Sequence, residues 1–106
     1  MNLQELARSL ELDVEVVEKL AATFVAETQK DLWELEQALA TGDGPLVARA
    51  AHHVKGAAAA LELETIRAEA AALEAQGREG RLEGAAPRVS RLRDSLAALS
   101  AALRRP

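Results

Sequence analysis

The sequence predicts an all-α protein, an antiparallel bundle of four main helices joined by short loops and preceded by a short N-terminal helix. Three observations predict it. Among 106 residues there are 24 Ala and 17 Leu, against seven Val and one each of Ile, Phe and Trp. Ala and Leu head the helix scale, whereas the β-branched and aromatic residues that favour strands are scarce. Apolar residues recur at spacings of three and four along most of the chain. Gly and Pro gather in two stretches, around Gly42 to Pro45 and from Gly77 to Pro87, which suits short connections between long helices. The length matches one compact unit, so residues 1–106 are expected to form a single helical-bundle domain.

Each element has its own signals. Asn2 can cap a short first helix reaching about Ser9, with Leu3, Leu6 and Leu10 on one side. Asp13 suits the N-cap of a second helix, and Leu12 with Val17 takes the places of a hydrophobic staple. Val17, Leu20, Phe24, Thr28, Leu32, Leu35 and Leu39 then form one stripe, predicting a helix over 14–40 that ends at Gly42. Trp33, beside Leu32, is expected to pack. A third helix begins at Pro45, suited to a first helical position, and carries Leu46, Ala50, Val54, Ala57 and Leu61 inward. A fourth runs over 64–76 with Ile66, Ala70 and Leu73 inward, Thr65 as the cap candidate at its start and Gly77 just past its end. A fifth begins near Ala85 or Pro87 and bears Val89, Leu92, Leu96, Leu99 and Leu103 at strict three-four spacing, with Arg104 and Arg105 complementing its dipole.

Composition excludes several classes of function. Without cysteine there is no disulfide framework, thiolate nucleophile or Cys-containing zinc site. The longest stretch without a charged residue, Ser95 to Leu103, has nine residues, far short of the roughly 20 needed to span a bilayer. The start, MNLQELARSL, lacks the basic and apolar regions of a secretory signal. A cytoplasmic protein without membrane association is therefore expected. The formal charge is −4; residues 1–44 carry ten acids and three bases, whereas 86–106 carry five bases and one acid. Without a Lys/Arg stripe interleaved with aromatics, no nucleic-acid partner is expected.

The third helix holds the residues that scaffold does not explain. On a helical wheel with Leu46 at zero, its apolar stripe centres near about 40° and His52 falls at about 240°, opposite the core. Lys55, Ala48, Ala59 and Gly56 lie within about 60° of His52 on that solvent side. His53, at about 340°, is on the flank of the stripe and is expected to be partly buried. An uncharged imidazole is a nucleophile, and an ammonium one turn away can neutralise a phosphoryl group placed on it. A helix-interior Gly costs about 1 kcal/mol relative to Ala, yet Gly56 immediately precedes four alanines. Two readings stay open. Either the helix ends at Gly56, leaving His52 a bystander, or it continues, since Ala57 and Leu61 keep the phase of the stripe, and Gly56 leaves room for a partner to approach His52.

The segment AHHVKGAAAAL, Ala51 to Leu61, resembles the signature of the histidine-containing phosphotransfer (HPt) domain, Ala-His-x-(Leu/Val)-Lys-Gly followed by small residues and an apolar position. On that pattern His52 is the phosphoacceptor, His53 the variable position, Val54 the apolar one, and Lys55 and Gly56 the supporting pair. Phe24-Val25, the Leu32/Leu35/Leu39 row, Ala38-Leu39 before Gly42-Asp43, and Leu73-Glu74 also fall where the family has similar features, so the resemblance covers most of 14–103. Two positions depart from it. Where the family has Gly after the closing apolar residue this chain has Glu62, which costs on the order of 1 kcal/mol if φ is positive there. The polar residues common after Lys-Gly are replaced by Ala57 to Ala60.

The resemblance implies a phosphorelay intermediate, not an enzyme in its own right: His52 takes a phosphoryl group from a receiver-domain aspartate or a kinase and passes it to a response regulator's aspartate. Ala48, Arg49 and Ala59 are expected on the partner docking face. No cofactor of its own is expected, Mg²⁺ being the receiver's, and a monomer is expected. The P-loop and the kinase Gly-rich motif are missing. The dimerising bundle of a histidine kinase would put an acid directly after the histidine, where His53 stands, and two adjacent histidines about 100° apart cannot chelate one ion from a single helix face. The alternative is a noncatalytic adaptor bundle that binds signalling partners without being phosphorylated.

Overall fold

The computed structural model describes residues 2–104; Arg105, expected to complement the last helix, lies outside them. Five helices follow in order: α1 (Leu3–Leu10), α2 (Val14–Thr41), α3 (Gly44–Ala60), α4 (Glu64–Glu79) and α5 (Ala85–Leu103). Short connections fold the last four into an elongated bundle, 41 × 22 × 18 Å, with α1 laid against α2. Among the described residues no helix is long and apolar enough to cross a membrane.

Helix starts and stops follow the expected chemistry with local exceptions. The Asn2 side chain accepts from the Gln4 and Glu5 amides, and Asp43 accepts from that of Leu46. Asp13 occupies the N-cap of α2 but makes no side-chain cap bond. Leu63, not Thr65, precedes α4, and no side chain caps that helix. Glu62 takes the left-handed conformation at φ 56, the turn that the HPt pattern assigns to Gly. The amide of Leu63 closes on Ala58 O across it at 2.9 Å. The Ser9 hydroxyl donates to the Glu62 carboxylate at 2.7 Å, tying α1 to this strained corner and offsetting part of its cost.

The core is the seam of α2, α3, α4 and α5, with Leu35, Val47, Val54, Leu73, Leu92 and Leu99 fully buried. Four expectations need correction. The buried face of α3 comprises Val47, Ala50, Ala51, Val54 and Ala58, with Leu46 and Ala57 only at its edge. That face is rotated from the expected stripe toward α4, where Gly44 and Ala48 meet the backbone of Gly77. Leu20 is 43% exposed, and Trp33, expected to pack, is 63% exposed because it lies opposite the face of α2 that carries Thr28, Leu32 and Leu35. Gly77 does not follow α4 but sits inside it, buried; Gly80 is the C-cap.

Gly77 is there because α3 and α4 touch backbone to backbone. A Cβ on Gly77 would stand 2.5 Å from Ala48 N and 2.7 Å from Gly44 O, and one on Gly44 would stand 2.7 Å from Gly77 O. No side chain fits at either position. This contact fixes the spacing of the two helices one turn before His52 and three residues after Glu74.

Candidate functional site

α3 is continuous through Gly56 to Ala60, so the reading in which Gly56 ends the helix is overturned. Gly56 is exposed, its φ is not left-handed, and a Cβ there would meet nothing within 4 Å. His52 stands on the solvent side with 65% of its side chain exposed. Ala59 and Arg49 are exposed beside it and Ala48 is half-buried. Lys55, by contrast, is two-thirds covered, because its stem lies along α4 and its ammonium meets a carboxylate that the sequence reading did not assign to the site.

That carboxylate is Glu74. His52 Nδ1 lies 2.8 Å from Glu74 Oε2, Lys55 Nζ donates to Oε1, and Arg78 Nη2 donates to Oε2 at 2.7 Å. The Glu74 side chain is 5% exposed. An ionised carboxylate only accepts hydrogen bonds, so this contact places a proton on His52 Nδ1 and leaves Nε2, on the outer edge of the ring, with its lone pair free. The Lys55 hydrogen bond foremost, with those of His52 and the charge of Arg78, holds the Glu74 carboxyl below its ordinary range against the opposing effect of burial. One carboxylate and two cations leave this cluster with a positive charge in excess beside His52, suited to an added phosphoryl group.

His53 was expected to be partly buried; it is 59% exposed, displaced outward by the rotation of the buried face. It forms a second imidazole–carboxylate pair, with Nδ1 2.8 Å from Asp31 Oδ2 on α2. Asp31 is nearly covered, and desolvation is the main cause that raises its carboxyl above the ordinary range, with His53 opposing. The Asp31 hydrogen bond in turn raises the His53 imidazole, helped by Asp31's charge and by Glu27 and Glu34. His53 also lines an apolar groove between α2 and α3 with Leu20, Phe24, Ala57 and Leu61. Among the described residues no cluster of three or more His, Cys, Asp or Glu is arranged to hold a metal ion.

Sequence reasoning missed Glu74, Arg78 and Asp31 as site residues. A signal was available for the two acids. Glu74 falls on the inward row of α4, four residues after Ala70, and Asp31 falls three after Thr28 and four before Leu35. A charge on a buried row needs a partner, and each of these acids lies 22 residues from one of the two adjacent histidines.

A family model for the Hpt domain matches residues 19–102. The crystal structure of histidine-containing phosphotransfer protein B (HptB) from Pseudomonas aeruginosa PAO1 superposes with a TM-score of 0.80 at 24% sequence identity, over 96% of this chain and 86% of that one. That likeness shows the shared fold. No curated protein matches the sequence.

Proposed function

The chain belongs to the Hpt domain family, whose members carry phosphoryl groups in phosphorelays, and we propose that His52 is its phosphoacceptor, loaded and unloaded by receiver-domain aspartates. The observation that carries this reading is the Nδ1 contact with Glu74, which leaves Nε2 as the free nucleophile on an exposed ring. In the forward step Nε2 attacks the phosphorus of an aspartyl phosphate; the N–P bond forms as the bond to the carboxylate oxygen breaks, and the aspartate leaves as its carboxylate. With Nδ1 already protonated, the ring becomes cationic on attack, and the Glu74 carboxylate stabilises that charge. In the reverse sense a second receiver's aspartate attacks the same phosphorus and neutral imidazole leaves.

Lys55 and Arg78, sharing Glu74, offset the charge of the phosphoryl group. Gly56, Ala48 and Ala59 keep the surface beside His52 low enough for the receiver's rim to close over it, and Arg49 faces its acidic residues. Val16 and Leu20, one helical turn apart and 41% and 43% exposed, extend this surface along α2 as an apolar docking edge. Mg²⁺ and the in-line geometry are the receiver's contribution, and the protein acts as a carrier in the cytoplasm.

The test is incubation with phosphorylated receiver domains and mapping of the acid-labile product by mass spectrometry. Label is expected on His52; His52→Gln should take none while keeping the helical circular dichroism. Label that persists in His52→Gln and vanishes in His53→Gln overturns the assignment, and receivers that bind without transferring label make the protein an adaptor.

A further inference from the structure

Two cations share Glu74, and the structure leaves them different freedom. Lys55 Nζ donates to Oε1, whereas Arg78 Nη2 donates to Oε2, the same oxygen that His52 Nδ1 meets at 2.8 Å. Two donors on one oxygen lie side by side, so Arg78 stands directly beside the imidazole while Lys55 is held at the other oxygen. The Arg78 side chain is 68% exposed, against 33% for Lys55. Among the described residues only its Nη2 has a hydrogen-bond partner, which leaves the rest of the planar five-donor fork free to donate. Ala48, one turn before His52, lies against α4 at Gly77, the residue before Arg78, and adds only a methyl group there. That side of the ring therefore has room for the guanidinium.

Lys55, by contrast, is tied to what the carboxylate needs. Its hydrogen bond is the foremost cause that holds the Glu74 carboxyl below its ordinary range, whereas Arg78 contributes less and through its charge. Withdrawing the ammonium would strip a carboxylate that is 5% exposed of its main partner; turning the guanidinium outward would not. Once His52 carries a phosphoryl group, a nearly doubly negative group stands one ring's width from that carboxylate and calls for a cation of its own. We propose that Arg78 is the residue that binds the phosphoryl group: its free N–H groups donate to two terminal oxygens of the phosphorus on Nε2, while Lys55 stays on Oε1 and acts through Glu74 as a positioning residue. In the transfer step the N–P bond forms as the bond from phosphorus to the aspartyl oxygen breaks, and the aspartate leaves as its carboxylate. Arg78 donates throughout and no proton moves. Its planar fork matches two phosphoryl oxygens at once, which the single point charge of an ammonium does not.

This inference rests on the reading of His52 as phosphoacceptor, and two phosphodonors keep the two apart. The whole chain carrying His53→Gln, which leaves His52 as the only histidine, is loaded by a phosphorylated receiver domain and, separately, by phosphoramidate, a small donor that needs no docking face. In nuclear magnetic resonance spectra of isotope-labelled protein, the Arg78 side-chain N–H signals are expected to shift on phosphorylation, while those of Lys55 and of Arg49, one turn before His52, stay in place. The Arg78 shift should persist in Lys55→Ala. Arg78→Ala should slow loading about tenfold, the loss of one charge-assisted contact, and by a similar factor with either donor, because the contact is with the phosphoryl group and not with the receiver. Arg78→Lys should recover only part of that loss. Arg78 signals that stay still while those of Lys55 or Arg49 move, or a rate loss confined to the receiver, overturn the assignment and leave the proposed function standing. Label accepted from phosphoramidate but from no receiver overturns the proposed function, with the Arg78 shift still read on the loaded protein. Label accepted from neither donor overturns both.

Discussion

The two flanks of α3 use the same device to opposite ends. Toward α4 the helices meet backbone to backbone at Gly44 and Gly77, and a buried carboxylate, Glu74, gathers one imidazole and two cations. Toward α2 the contact opens into an apolar groove, and Asp31 holds one imidazole among further acids. The difference lies in the net charge around the ring. Excess positive charge beside His52 favours an added phosphoryl group, whereas excess negative charge beside His53 favours an added proton. Adjacent residues of one type are thus assigned different chemistry by the helices they face.

Gly56→Leu tests that comparison most strongly, because it touches neither carboxylate and alters only access to His52. A Cβ at 56 meets nothing, so stability should hold or rise by up to about 1 kcal/mol as Leu replaces a poor helix former. Transfer from a receiver should fall by roughly two orders of magnitude, equivalent to about 3 kcal/mol of obstructed docking. A destabilised variant with normal transfer would remove the need for clearance above the ring.

Gly77→Ala asks whether the tight flank is tight by necessity. Its methyl group would press on Ala48 N and Gly44 O, both backbone atoms that cannot swing away. The helices must separate, at a cost of about 1–3 kcal/mol, visible as a melting temperature lowered by roughly 5–20 °C. Because the shift also pulls Glu74 from His52, transfer should slow as well. A variant with wild-type melting and wild-type transfer would show that the Gly44–Gly77 contact does not set the geometry of the site.

Glu74→Gln keeps the shape of the carboxylate and removes its charge. Gln can still accept from His52 Nδ1, so the tautomer survives, but stabilisation of the cationic ring during attack weakens. The transfer rate should drop on the order of tenfold, about 1.4 kcal/mol, with binding of the receiver little changed. An unchanged rate would reduce Glu74 to a structural partner of Lys55.

How much of this was legible follows from where each feature is encoded. The boundaries at Asn2, Asp13 and Gly42 came from caps and spacing, which are local, and each stands at the helix end expected of it. The family resemblance lay in Ala51 to Leu61, and membership in the Hpt family bears it out. The exposure of His52 came from periodicity alone. What escaped was pairwise. Gly77 reads as a terminator until α3 is seen against its backbone, and the partners of Lys55 and His53 are set by the rotation of one helix on another. Trp33 was misplaced for the opposite reason, since large apolar residues are assumed inside although wheel position, not size, decides their face.

The smallest effect separates the two carboxylates by pH. Glu74 is held below its ordinary range, so its contribution to stability is complete above the unfolded value and is lost as pH falls through the lower folded one. His53 is raised, so its contribution is complete below the unfolded imidazole value and is lost as pH rises through the higher folded one. Asp31 is raised too, and its contribution likewise declines with rising pH, over the acidic range just above the unfolded carboxyl value. Urea denaturation across pH should therefore show a loss on the acid side that belongs to Glu74 and a separate, shallow loss near neutrality that belongs to His53. In Asp31→Asn the loss near neutrality should flatten while the acid limb is retained, because the amide cannot hold the imidazolium as a carboxylate does. In Glu74→Gln the pattern should invert, the acid limb flattening and the other persisting. Both limbs responding to either substitution would mean that the two pairs titrate as one coupled network across α3, and the separation of a phosphoryl site from a proton site would fail.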